Sequence, residues 1–161
     1  MLTVFNPGTL SLPLEEDFRS IQKNGMAFQW RIQGEFLEMK LSGPTIGWIA
    51  MGFNPKPGLT GTNLIMGHVT DQGTKMEDLY ILGPGNPQPV NKLGGTFSLP
   101  AIKGHEDDSG TYLEYQIPLQ AKDAYHHTLK PGQQYYVLLA YSVSDDFDHH
   151  SRMRTEVSII L

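Results

Sequence analysis

The sequence predicts an all-β chain, an antiparallel sandwich or barrel. Seventeen Gly and eleven Pro are spread along 161 residues. No long amphipathic helical period appears, and short runs bounded by turn residues recur instead. The most informative stretch is Thr45–Tyr80. It reads as a strand (Gly47–Phe53), a Pro/Gly loop (Asn54–Gly61), a second strand (Asn63–Thr70), a turn at Asp71–Gly73 and a third strand from Lys75 to Tyr80. A loop so rich in Gly and Pro between two strongly apolar strands is expected to form one wall of any binding site.

The remaining elements follow in order. Leu2–Phe5 and Thr9–Leu12 are short candidate strands split by the turn signal Asn6-Pro7-Gly8. Met26–Ile32 and Glu35–Leu41 form a predicted hairpin around Gln33-Gly34. Phe28, Trp30 and Ile32 share one face of its first strand; in the second, Phe36 competes with Leu37 and Met39 for the inward role. Residues 83–95, with three prolines and four glycines, cannot hold a long strand because Pro removes ladder donors. Thr96–Lys103 and Thr111–Pro118 are predicted strands flanking an acidic turn at His105–Gly110. Leu119–Leu129 is the one stretch with room for a short helix, ended by Lys130-Pro131-Gly132. Gln134–Ser144 is the most continuous apolar run of the second half and should be a central strand, followed by a polar loop, Asp145–Arg154, and a terminal strand, Thr155–Leu161.

Length and composition narrow the function. A chain of this size fits one domain, expected here over residues 1–161, and a compact fold buries roughly 70% of its unfolded surface. Zero cysteines exclude a disulfide framework, thiolate metal sites and cysteine nucleophiles. The net charge of −5, with 12 basic and 17 acidic residues and no basic run, disfavours nucleic-acid binding. No stretch approaches the length of a membrane span, and the N-terminus reads as no signal peptide. There is no nucleophile elbow, P-loop or dinucleotide fingerprint, so the chain is not expected to be an enzyme on its own.

Six histidines and seven methionines remain to be placed. His149 and His150 lie in a loop between two predicted strands, where binding residues concentrate; as single residues they read as solvated. His126-His127 invites a four-histidine metal cluster, but neighbours on an extended chain point to opposite sides. His68 alternates with Leu64 and Met66 and reads as an outward or satisfied core residue. Met39, Met51 and Met66 read first as core filling; a thioether is also an axial ligand for haem iron. Arg152 or Arg154 would then pair with a propionate.

Several motifs occur together and in order: Gly47-Trp48-Ile49-Ala50-Met51-Gly52-Phe53, then Gly61-Thr62-Asn63-Leu64-Ile65-Met66-Gly67, Pro118-Leu119 with Asp123, Leu129-Lys130-Pro131-Gly132, Val137–Tyr141, and Asp145-Asp146-Phe147 leading to His150 and Arg154. From about Gly25 onward this series resembles the DOMON superfamily. The resemblance implies an immunoglobulin-like antiparallel β-sandwich with at most one short helix, usually extracytoplasmic, that binds b-type haem or sugars. In the haem-binding branch, which includes the cytochrome domain of cellobiose dehydrogenase and the haem subunit of ethylbenzene dehydrogenase, the haem serves electron transfer. The branch's histidine ligand falls on His150, with His149 as its neighbour if the register slips by one. Its methionine ligand falls on Leu59, which cannot bind iron, and Met51 is the nearest other thioether. The acidic residue of the family's next motif is replaced by Asn63.

The expectation is therefore a haem b module for electron transfer or small-ligand and redox sensing. It is conditional on Leu59, and a redox partner protein is its natural counterpart. The alternative is a haem-free module for a sugar or other small molecule, with Trp48, Tyr135, Tyr136 and Tyr141 as candidate stacking residues. A purely structural interaction domain is the third reading.

Overall fold

The computed structural model of the chain describes residues 18–97 and 99–161. The candidate strands at Leu2–Phe5 and Thr9–Leu12 lie outside the described residues. Among the described residues eleven strands form two antiparallel sheets: β1 Arg19–Lys23, β2 Met26–Gln33, β3 Phe36–Gly43, β4 Ile49–Asn54, β5 Asn63–Thr70, β6 Gly73–Ile81, β7 Pro87–Pro89, β8 Lys103–Asp107, β9 Gly110–Pro118, β10 Gln134–Tyr141 and β11 Met153–Ile160. One sheet has the order β1-β2-β3-β9-β8 and the other β11-β10-β4-β5-β6-β7. Their facing surfaces enclose one core, so the chain is the expected sandwich.

Alternation builds the five-stranded sheet. In MAFQWRIQ, FLEMKLSG and TYLEYQIP every second residue turns inward: Met26, Phe28 and Trp30, then Leu37, Met39 and Leu41, then Leu113, Tyr115 and Ile117. Phe36 is thus on the outward face, which settles the competition within β3. Two positive φ angles at Asn24 (52°) and Gly25 (83°) make the tight β1–β2 turn, the conformation that Asn-Gly supplies with least strain.

The central strands of the six-stranded sheet behave differently. All of β4 is buried, and β5 and β10 are buried over most of their length. Ile49, Met51, Phe53, Ile65, Val137 and Leu139 face the shared core, while Trp48, Ala50, Leu64, Met66, Leu138 and Ala140 form a second apolar cluster on the other side. Strands apolar on both faces need cover on both.

Three sequence expectations are corrected. Residues 119–129 form no helix; they bend, because Asp123 accepts from the backbone N–H of Thr96 (3.0 Å) and of Tyr125 (2.9 Å) and so competes with helical pairing. Among the described residues the helical content is a single 3₁₀ turn, Val90–Leu93, inside the segment expected to be loop. The strand expected at Thr96–Lys103 is displaced: residues 96–97 and 99–102 are irregular, and β8 runs over Lys103–Asp107, pairing at the sheet edge with β9. Its sequence is polar because an edge strand has little to bury.

Candidate functional site

The outward face of the six-stranded sheet is where the two loops singled out in the sequence meet the sheet. Register fixes what they cover. Arg154 of β11 pairs with Ala140, which pairs with Ala50, which pairs with Met66. The next rung outward runs Glu156, Leu138, Gly52, Leu64. Small residues at Ala50, Gly52 and Ala140 therefore lie between larger apolar ones, giving a shallow apolar bed.

The loop from 55 to 62 is laid onto one end of that bed. Asn54, itself buried, organises it: its Nδ2 donates to the carbonyls of Gly58 (3.2 Å) and Thr60 (3.0 Å), and its Oδ1 accepts from the N–H of Lys56 (3.1 Å). Gly58 N–H donates to the Glu156 carboxylate at 3.0 Å, tying the loop to β11. A Cβ on Gly52 would stand 2.5 Å from the Thr62 methyl, so only glycine lets the loop's return sit this close. Leu59 packs onto the outward cluster from above.

The loop from 142 to 152 covers the other end. Buried Ser142 is its anchor: its hydroxyl donates to the His150 carbonyl (3.1 Å), bonds with His149 Nδ1 (3.1 Å) and accepts from the Ser144 N–H (3.2 Å). Phe147 packs on the outward cluster and meets the His68 ring edge-on, centroids 4.9 Å apart. The Lys75 ammonium stands 5.8 Å from the Phe147 ring centre.

Three of the polar atoms that are buried without a hydrogen bond gather at this end: Trp48 Nε1, His68 Nδ1 and Asp145 Oδ1. One register step beyond Ile49 and Gly67 places Trp48 beside His68 on the outward face. His68 Nδ1 and Asp145 Oδ1 are 3.7 Å apart, too far for a hydrogen bond. Buried unpaired polar groups each cost about 1–3 kcal/mol and are few in folded proteins, so a cluster of them marks a place where something other than packing is at work.

The sequence-nominated residues fall as follows. Leu59 and Arg154 share the outward face. His149 and His150 are exposed on the second loop, His149 held by Ser142. Met51 is fully buried on the opposite side of β4, in the core between the sheets, which is the role its alternation with Ile49 and Phe53 requires; it is separated from Leu59 by the sheet itself. Tyr135 is buried with its hydroxyl accepting from the Lys130 N–H (2.7 Å), and is closed to a stacking role.

A second polar constellation lies between the sheets near residues 119–129. Asp78, buried on the inner face of β6, accepts from Asn63 Nδ2 and from His126 Nε2, both at 2.6 Å; the other nitrogen of His126 meets Asp123 at 2.8 Å. The Asp78 bond is the main cause that raises the His126 pKa; burial opposes it, and the charges of Asp78 and Asp123 add to it. For Asp123, burial acts upward, but the N–H groups of Thr96 and Tyr125, with His126, hold its pKa below the usual 3.8. Burial, then the nearby Asp78 charge, pushes the Tyr115 hydroxyl far up, and that hydroxyl has no partner. Phe53, Ile65, Leu99 and Ile117 line an adjoining cavity of about 30 Å³, room for about one water. His127 turns away from its neighbour to the Gly61 carbonyl, at 2.7 Å. Sequence reading missed this chain of groups. Its one visible signal is Asp78, an acid at an inward position of a strand.

Comparison with known proteins agrees with this architecture. The family model for the DOMON domain matches residues 22–142. MOXD1 homolog 2 of Drosophila melanogaster is 24% identical over 135 residues, which are 84% of this chain and only 16% of that relative. The cytochrome domain of Myriococcum thermophilum cellobiose dehydrogenase superposes with a TM-score of 0.61 at 8% identity, covering 89% of this chain and 81% of that one. The cytochrome b domain of Coprinopsis cinerea pyranose dehydrogenase superposes equally well, at 0.61 and 9% identity over the same shares. At such identities the likeness is one of fold.

Proposed function

The chain belongs to the DOMON domain family, and from that membership we propose that it is a ligand-binding module. The outward face of its six-stranded sheet takes up a flat, largely apolar molecule, haem b foremost. One observation carries this reading: an apolar cluster on the side of the sheet away from the core, roofed by Leu59 and Phe147 from two separate loops. A face built only for packing would be closed by a further layer of secondary structure; here single side chains on loops close it.

The residues suit a haem in three respects. The bed around Ala50, Gly52 and Ala140 is apolar and low. Arg154, on the same rung as Ala140 and Ala50 and one strand away from Ala140, supplies a guanidinium for a carboxylate. Histidine nitrogens lie at the Phe147 end, on His68 and on the loop with His149 and His150. Leu59 offers no donor, so the reading carries a single protein ligand to iron. Haem, when bound, supplies one-electron transfer and the binding of small molecules at iron. An open coordination position favours ligand or redox sensing over rapid electron exchange. The side chains of Leu59 and Phe147 exclude water from the bed and must swing off it for entry. Fold likeness to two cytochrome domains supports the same choice. A redox partner protein and an extracytoplasmic setting belong to this proposal; no helix among the described residues is long and apolar enough to cross a membrane.

Leu59 is also the observation that favours the second reading, a haem-free module for a sugar or other small molecule. Titrating purified protein with hemin separates the two. A sharp, shifted Soret band that saturates at one equivalent is expected, and Leu59→Met is expected to move it toward a low-spin, six-coordinate form. The spectrum of free hemin throughout, with binding to an immobilised glycan panel, sinks the haem reading in favour of the second.

A further inference from the structure

We infer that His68, oriented by Asp145 and covered by Phe147, is the side chain that engages the iron of a haem bound on the outward face. The inference rests on the functional reading above and specifies its ligand. It departs from the assignment that family resemblance makes, which falls on His150.

Three features of the structure lead there. First, His68 belongs to the bed: it follows Leu64 and Met66 along the same face of β5, and its side chain is only 14% exposed. A residue laddered within a strand, as His68 is to Lys75 of β6, is held more rigidly than one on a loop, as a ligand must be. His150, by contrast, is exposed on the loop, and His149 already bonds Ser142.

Second, the unsatisfied atoms are complementary. His68 Nδ1 and Asp145 Oδ1 face each other at 3.7 Å, both sealed from solvent and neither hydrogen-bonded. A closure of under 1 Å in the Asp145 loop makes a hydrogen bond of ordinary length. A carboxylate accepting from Nδ1–H fixes the tautomer that leaves the lone pair on Nε2, and such a pairing is the usual second partner of a metal-bound histidine.

Third, the cover is a single side chain carried on a loop. Phe147 sits edge-on against the His68 ring from a loop, two residues beyond Asp145, so one segment carries both the cover and the carboxylate. On the outward face of β6, Lys75 lies opposite His68, placed to receive a carboxylate, and Glu77 lies one outward rung further on, opposite Met66.

Hemin titrations of the wild type, His68→Gln, His150→Gln and Asp145→Asn test this, with far-ultraviolet circular dichroism confirming that each variant is folded. The expected result is a shifted Soret band in the wild type and in His150→Gln, lost in His68→Gln, and an affinity roughly 10–100-fold weaker in Asp145→Asn. Long-range 15N–1H spectra of the haem-free protein supply an independent readout. They should show His68 as the Nδ1–H tautomer, and Asp145→Asn should shift that resonance. If the wild type binds hemin and His68→Gln binds it with an unchanged spectrum, the inference fails while the functional reading stands. If the wild type leaves the hemin spectrum unaltered, both fail.

Discussion

The two sheets turn very different outer faces to their surroundings. On the five-stranded sheet the outward positions of β2, β3 and β9 carry Gln29, Arg31, Glu38, Lys40, Glu114 and Gln116, charged and polar groups that water satisfies. On the six-stranded sheet the matching positions of β4, β5 and β10 carry Trp48, Ala50, Leu64, Met66, Leu138 and Ala140. Both sheets do equal service to the shared core, so stability does not explain the difference. A sheet with one solvated face alternates; a sheet whose two faces are both apolar has been built to keep something on its second side. Here that cover is two loops, each held by one buried polar residue, Asn54 or Ser142, and each contributing one apolar side chain.

The largest effect should come from the layer that the two sheets share. Phe28 is fully buried there and stacks on Trp30 with centroids 4.8 Å apart. Phe28→Ala is expected to cost about 3–5 kcal/mol, because it removes both transfer energy and packing around a cavity that strands cannot close. Urea unfolding measures it. A loss below about 1 kcal/mol would mean that the core between the sheets is not the principal source of stability, and the comparison of outer faces would lose its reference.

Next is the knot under the Leu59 loop. Asn54→Ala strands the carbonyls of Gly58 and Thr60 and the N–H of Lys56. The expected loss is roughly 2–3 kcal/mol. The same variant should bind an apolar dye such as ANS more strongly, since the loop no longer holds Leu59 down. Destabilisation without added dye binding would show that the outward cluster keeps its cover by some other means.

A smaller effect separates the two polar constellations by pH. His126 bonds carboxylates on two segments, and its folded pKa stands above the ordinary 6.5, chiefly through the Asp78 bond. A proton held more tightly in the folded state stabilises it fully below about pH 6.5, and that contribution disappears as pH rises through the raised folded value. Thermal midpoints should therefore fall above neutrality, with roughly 1.5 kcal/mol at stake, the worth of a hydrogen bond to a charged group. His126→Gln should flatten the profile. Asp123 works in the opposite window: its depressed pKa gives stability that is lost as pH falls below about 3.9. A profile for the wild type that does not decline above pH 6.5 would contradict the doubly bonded imidazole.

Much of the fold was legible in the sequence because alternation is a local signal. MAFQWRIQ and TYLEYQIP announce one buried face each, and the ends of β5 fall where the sequence placed them, at Asn63 and Thr70. Edges were harder. β8, KGHED, buries little and reads as a turn, and its strand character comes only from pairing with β9. Residues 119–129 have the composition of a helix, but the bonds of Asp123 to Thr96 and Tyr125 decide otherwise, and the Thr96 bond is long-range. The same holds for the sites. Leu59 was visible because one motif position differs from a family pattern. The meeting of His68 with Asp145, or of Asp78 with His126, depends on which strands and loops the topology brings together, and no local pattern encodes it.

The smallest effect tests the polar outer face itself. Arg31 pairs with Glu38 directly across β2 and β3, each about one-fifth exposed, and the Arg31 guanidinium also lies 4.5 Å from the Phe18 ring centre. The Lys40 ammonium approaches the same ring, at 4.4 Å. Such a half-solvated pair gains little Coulomb energy and loses side-chain freedom, so a double-mutant cycle of Arg31→Ala and Glu38→Ala should return a coupling below about 1 kcal/mol. Salt distinguishes its origin: at 1 M the screening length is about 3 Å, and the ionic part should shrink while the stacking of Arg31 on Phe18 persists. A coupling above about 2 kcal/mol that salt leaves intact would mean that this face, too, is specified by buried interactions. The contrast between a solvated outer face and an apolar, loop-covered one would then no longer follow from their outer residues.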